Sequence, residues 1–133
     1  MKRALLCGCL ALAAYATPAA AQDAACPSGN YSVVRTSKIK PGGTLDGFKH
    51  AVADHAKWYI DHGYTADKFQ WARVVTYDPA AKKMVASPDT VMTFHNNATE
   101  VPSAKRDAAW DAYVAEYAAN STIVTTTVVC VAN

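Results

Sequence analysis

The pattern of hydrophobic and polar positions switches repeatedly between period two and a helical period from Tyr31 onward. Tyr31 to Ser37 (YSVVRTS) is rich in β-branched residues and free of breakers, which predicts a strand. Pro41-Gly42-Gly43 then turns the chain, and Thr44 to Tyr64 reads as a helix. At about 100° per residue, Leu45, Phe48, Val52, Ala56 and Tyr59 fall on one stripe. Thr44 suits the N-cap and Gly63 the position just past the C-terminus. His55 and His62 share one flank of the stripe with Ala51 and Trp58, while Lys49, Asp54 and Lys57 look outward.

Lys68 to Tyr77 alternates, with Phe69, Trp71, Arg73, Val75 and Tyr77 on one face and Gln70, Ala72, Val74 and Thr76 on the other. Asp78 to Lys83 carries turn chemistry and connects a hairpin to a strand over about Met84 to His95. Ser87-Pro88 interrupts that strand, which implies two short pieces, a bulge or an edge position. A second helix is expected from Ser103, as N-cap, to Ala119. Trp110, Tyr113, Val114 and Tyr117 lie on one stripe of it, with Arg106 in line. Ser121 to Ala132 (STIVTTTVVCVA) is the most strongly β-prone segment.

The predicted order is β-α-β-β-α-β, an α+β ferredoxin-like fold: a four-stranded antiparallel sheet with two helices on one face and sheet order 4-1-3-2. The last strand carries apolar residues on both of its faces, where a sheet with one wet face should alternate. Part of the open face is therefore expected to pair with a second copy of the chain, as a homodimer.

The first residues change the rest of the picture. Lys2-Arg3, an apolar run to about Ala16, and Pro18 with Ala19-Ala20-Ala21 read as a signal peptide over residues 1–21. Residues 22–133 are then one domain, placed in a periplasmic or secreted compartment, with no membrane association after cleavage. Lys2 and Arg3 account for the formal charge of +2, so the mature chain is close to neutral. No basic run suited to nucleic acid or anionic lipid survives. Cys7 and Cys9 leave with the signal. Cys26 and Cys130, one near each end, are expected to form a disulfide, and in the 4-1-3-2 order the two ends that carry them lie together.

The segment His55-Ala56-Lys57-Trp58-Tyr59-Ile60-Asp61-His62-Gly63, followed by Tyr64 and a strand bearing Trp71 and Arg73, resembles the end of the first helix in the dimeric α+β barrel superfamily. Those proteins are ferredoxin-like domains that pair sheet to sheet. The likeness spans roughly Tyr31 to Val131 at the level of topology and implies fold and dimerisation. Families on this fold include cofactor-independent monooxygenases, haem-degrading enzymes, isomerases and stress-responsive proteins. The haem-ligating histidine of the second helix and the first-strand histidine of the stress-responsive branch have no counterpart here, so the likeness transfers no catalytic residue.

Candidate chemistry centres on the first helix. His55 and His62 are candidate acid–base groups near neutral pH, with Arg73 or Arg106 available to an anion. Trp58, Tyr59, Trp71, Arg73, Trp110 and Tyr113 are the candidate ligand-binding residues of a pocket between helices and sheet. His50 with Asp54, or His55 with His62 and a third ligand such as His95, falls short of a zinc pattern, so no metal and no cofactor are expected. Asn97-Ala98-Thr99 and Asn120-Ser121-Thr122 match the glycosylation pattern, but the Ala-rich leader reads as bacterial and no glycan is expected. Three functions follow: a homodimeric module binding a small apolar or aromatic molecule, a cofactor-independent monooxygenase or isomerase, or a structural domain with no small-molecule site.

Overall fold

The computed structural model describes Cys26, Pro27 and residues 29 to 131; the segment 1–21, read as a signal peptide, lies outside the described residues. The elements run β1 (Tyr31–Ile39), α1 (Leu45–Asp61), β2 (Lys68–Asp78), β3 (Lys83–Asn96), α2 (Ala108–Asn120) and β4 (Ser121–Cys130). A short 3-10 turn at Ser103–Lys105 precedes α2. The four strands form one antiparallel sheet in the order β2-β3-β1-β4, with the two helices on one face, which is the ferredoxin-like arrangement. Among the described residues, no helix is long and apolar enough to cross a membrane.

Local chemistry sets the ends of α1. The Thr44 hydroxyl accepts a hydrogen bond from the Gly47 N–H at 2.9 Å, satisfying one of the free donors of the first turn. At the other end Gly63 takes φ +84°, where a residue with a Cβ would be strained. The Gly63 and Tyr64 N–H groups then donate back to the carbonyls of Ile60 (3.1 Å) and Tyr59 (2.9 Å) and close the helix.

The second helix starts later than its pattern implies. Arg106 is extended, and Asp107, not Ser103, is the N-cap, accepting from the Trp110 N–H at 2.9 Å. The same carboxylate oxygen accepts from the Trp58 indole N–H at 2.8 Å. A cap that also ties α2 to α1 outcompetes one that binds only its own turn.

The interruption at Ser87-Pro88 is a bulge. Pairing of β2 with β3 jumps from Arg73–Val91 to Val75–Ala86, leaving Ser87 to Thr90 unmatched on the β2 side. Pro88 therefore removes no ladder bond. The Ser87 hydroxyl accepts from the Thr90 N–H at 3.1 Å and donates to Asp89 at 3.2 Å, which holds the bulge closed.

Residues opposite one another across the ladders share a face. The helix side carries Val33, Arg35 and Ser37 of β1, Val91, Thr93 and His95 of β3, and Phe69, Trp71 and Arg73 of β2. The open side carries Val34 and Phe94 in one ladder row with Gln70, and Met92 and Ala72 in the next with Thr36, so an apolar row runs diagonally across three strands. A register shift near Val124 of β4 puts Ile123 on the helix side and Val129 on the open side. The core has two centres beneath the helices: Trp58, Tyr59, Val101 and Tyr113 in one, Phe48, Val52 and Val91 in the other. Cys26 and Cys130 form a disulfide that pins the lead into β1 to the end of β4.

Candidate functional site

Between the helices and the sheet lies a cavity of about 430 Å³. Its floor is Arg35 and Ser37 of β1, Thr93 and His95 of β3, and Phe69 of β2. One wall is α1, through Phe48, Val52, His55 and Tyr59; the other is α2, through Trp110, Tyr113 and Tyr117. Val114 and Ile123 also border it and are 45% and 56% exposed, so the mouth opens between α2 and the start of β4.

His55 is the hub. It stacks on Tyr113 (ring centroids 4.5 Å apart, 15° between planes) and sits 4.3 Å from Phe69 and 5.6 Å from His95. The Tyr117 hydroxyl lies 3.4 Å from its Nδ1. The sequence stripe placed His55 at the edge of the buried face. In the structure the buried positions of α1 are Phe48, Ala51, Val52, Trp58 and Tyr59, and α2 closes over the histidine flank between them. Burial, with the nearby His95 and Arg35 charges, pushes the His55 pKa down to about 3, so the imidazole is neutral at physiological pH.

His95 is buried and held by a buried carboxylate. Its Nε2 lies 2.6 Å from Asp67, which also accepts from the Thr99 N–H and hydroxyl, both at 2.8 Å. Because a carboxylate only accepts, Nε2 carries the proton. Burial lowers the His95 pKa despite the opposing pull of Asp67, so this ring too favours the neutral form. The tyrosines are pushed the other way: burial raises Tyr59 to about 12 and raises Tyr113 and Tyr117 as well.

The candidate residues divide into two groups. His55, Tyr59, Trp110 and Tyr113 meet at the cavity. Trp58 is buried in the core with its indole N–H on Asp107, outside the cavity lining. His62 stacks on Trp58 at 3.9 Å, with Nδ1 2.7 Å from the Trp58 carbonyl and Nε2 3.1 Å from Asp107. It belongs to the joint between the helices rather than to the cavity. Trp71 and Arg73 share the helix-side face but lie farther along edge strand β2, beyond the cavity; Lys49 covers the Trp71 ring at 5.5 Å.

Arg35 and Asp67 are site residues that sequence reasoning did not single out; His95 entered it only as a possible third metal ligand, and Tyr117 only as part of the stripe of the second helix. The usable signal was positional. In a β-α-β-β-α-β order the first and third strands are central, so an arginine or histidine on their helix side must face the space beneath the helices. Among the described residues, no group of three or more His, Cys, Asp or Glu side chains converges in a way that could hold a metal ion.

Fold and site together define a ferredoxin-like α+β domain with an aromatic, histidine-bearing cavity under its helices. No known family matches the chain, and no curated protein or solved structure does so either.

Proposed function

We propose that the protein is an exported homodimeric α+β domain that binds a small apolar or aromatic molecule in its helix–sheet cavity. The observation that carries this reading is the cavity itself. A purely structural domain would fill the space between helices and sheet with side chains, whereas here about 430 Å³ is enclosed by rings and bordered by His55. That volume lies within the range of small-molecule sites, roughly 300–1,000 Å³. The neutral state of His55 and His95 suits an apolar guest, since neither ring brings a charge to the wall at neutral pH.

Export rests on the leader at residues 1–21 and on the Cys26–Cys130 disulfide, which persists in oxidising compartments. Dimerisation rests on the open-face row of Val34, Ala72, Met92 and Phe94, which carries no charge that would repel its own copy.

The test is native mass spectrometry of the protein purified gently from the compartment to which its leader directs it. The expected species is a dimer carrying extra small-molecule mass, and a His55→Trp variant, which fills the cavity, loses that mass while remaining folded. A wild-type protein that stays bare when challenged with a panel of one- and two-ring aromatic compounds would leave the structural reading in its place.

A catalytic reading has one observation in its favour: a histidine oriented by a buried aspartate in a cavity wall is the arrangement of a general base. It would show as protein-dependent deuterium exchange into the acidic C–H of a bound carbonyl compound, lost in His95→Gln.

A further inference from the structure

Arg35 stands in the floor of the cavity at the centre of the sheet, and its guanidinium makes no hydrogen bond or ion pair with any described residue. Its neighbours across the two ladders are Thr93 and Thr126, so hydroxyls rather than carboxylates flank it. Among the described residues, no aspartate or glutamate lines the cavity. The nearest buried acid, Asp67, has both oxygens engaged by His95 and Thr99. Arg106 makes the contrast clear: its guanidinium is used up on the Val101 carbonyl at 2.9 and 3.2 Å and on the Trp110 ring at 4.8 Å.

A second, independent observation concerns a residue of the same cavity wall. The hydroxyl of Tyr113, a cavity-wall residue only 3% exposed, is buried without a hydrogen-bond partner. A buried hydroxyl left unpaired is costly, and groups of this kind call for an explanation in a native fold. Tyr113 keeps its proton at any physiological pH, because burial raises its pKa, so its O–H is available to donate to an acceptor. A lone cation and an unused O–H donor in an otherwise aromatic cavity complement one kind of guest: a ring carrying an acidic group. The planar guanidinium favours a carboxylate, which it can take with two parallel hydrogen bonds. The enclosing rings of His55, Phe69 and Trp110 exclude a bare inorganic anion, which would gain nothing from them.

We propose that the cavity binds the anion of a small aromatic carboxylic acid, with the carboxylate on Arg35, the Tyr113 hydroxyl as a further donor, and the ring among His55, Phe69 and Trp110. This rests on the cavity being a small-molecule site at all, as proposed above, and it narrows the ligand class from apolar or aromatic molecules to their acids.

The experiment uses the folded, disulfide-bonded chain and matched pairs of probes: benzoate with benzamide, and 2-naphthoate with 2-naphthamide. Titration calorimetry at pH 7.5 is expected to give an acid that binds on the order of 10- to 100-fold more tightly than its amide, the worth of a charge-assisted contact. In Arg35→Gln that preference for the acid over its amide disappears. Acid and amide binding with equal affinity would overturn the carboxylate proposal and leave the apolar-ligand reading standing. Failure of every probe, acid and amide alike, would overturn both. Because a change at the centre of the sheet can impair folding, the Arg35 side-chain Nε–H resonance of the wild-type protein supplies a second readout. It moves on addition of the acid and not of the amide; an unmoved resonance under saturating acid would sink the proposal.

Discussion

His55 touches six rings, those of Tyr59, Phe69, His95, Trp110, Tyr113 and Tyr117, and this enclosure fixes its protonation state. The folded pKa of about 3 lies below the ordinary 6.5, so the unfolded chain takes up the proton first. The stability that goes with the neutral ring is therefore complete above about pH 6.5 and erodes as the pH falls towards 3. His95 titrates in the same direction and adds to the slope. Replacing His55 by Phe removes its share. Thermal unfolding is expected to show His55→Phe gaining stability against wild type between pH 7.5 and pH 4, by about 1–3 kcal/mol. A pH-independent difference between the two proteins would mean that the imidazole is already hydrated. Asp107 illustrates the opposite sign. Its bonds from the Trp110 N–H, the Trp58 indole and His62 hold its pKa down to about 2, below the ordinary 3.8. Its contribution is present above pH 4 and disappears as the pH drops through 2, so Asp107→Ala should unfold at a lower temperature at neutral pH and lose this acid-side component. Neither role was visible in the sequence, where His55 and His62 looked like a pair. The facing helix separates them, giving one to the cavity and the other to the joint that Asp107 makes.

At the scale of elements, most of the architecture was legible because period and punctuation agree. Thr44 and Gly63 delimit α1 by cap chemistry that requires nothing from the rest of the molecule. The start of α2 was misplaced for the converse reason: Ser103 is a good cap locally, but Asp107 gains a bond from Trp58 on the other helix, which no local pattern reveals. The far ends of the two helices meet at another such contact. The Asn120 side chain accepts from the Thr44 N–H at 2.9 Å, and its carbonyl accepts from the Lys40 N–H at 3.1 Å. This approach is allowed because Gly43 and Gly47 have no Cβ. A Cβ at Gly43 would collide with the Asn120 backbone, and one at Gly47 with the Asn120 side chain. Backbone cannot step aside as a side chain can, so the two positions should respond differently. Gly43→Ala is expected to cost about 1–3 kcal/mol as overpacking, and Gly47→Ala less, as read from urea unfolding. Equal losses would show that the backbone of α2 shifts as freely as the Asn120 amide.

For the molecule as a whole, the sheet has two faces with different fates. The helix side is covered and carries the cavity; on the open side Val34, Ala72, Met92 and Phe94 run across three adjacent strands. Beside that row lie Val129 and Val131, at 38% and 43% exposed. Lys38 and Lys68 stand on the same side at its margins. A two-fold axis through the centre of this face would set the apolar row of one copy on that of the other and keep the lysines at the rim. Such a pairing would be self-complementary, as an isologous contact must be. Apolar residues on both sides of the β4 sequence raised the expectation of a covered face; which residues form the row required the ladder register and the shift near Val124. Placing a charge at the centre of the row is the sharpest probe, since a two-fold contact would bury the charge of both copies and set the two against each other. Phe94→Glu is expected to convert a dimer to a monomer in sedimentation equilibrium, raising the dissociation constant on the order of 100-fold or more. The cavity lies on the opposite face, so the monomeric variant should still bind the ligand of the wild type. Loss of binding along with the dimer would mean that the second copy completes the site. A wild-type protein that sediments as a monomer at micromolar concentration would remove the sheet-to-sheet pairing and leave the cavity as the property of a single chain.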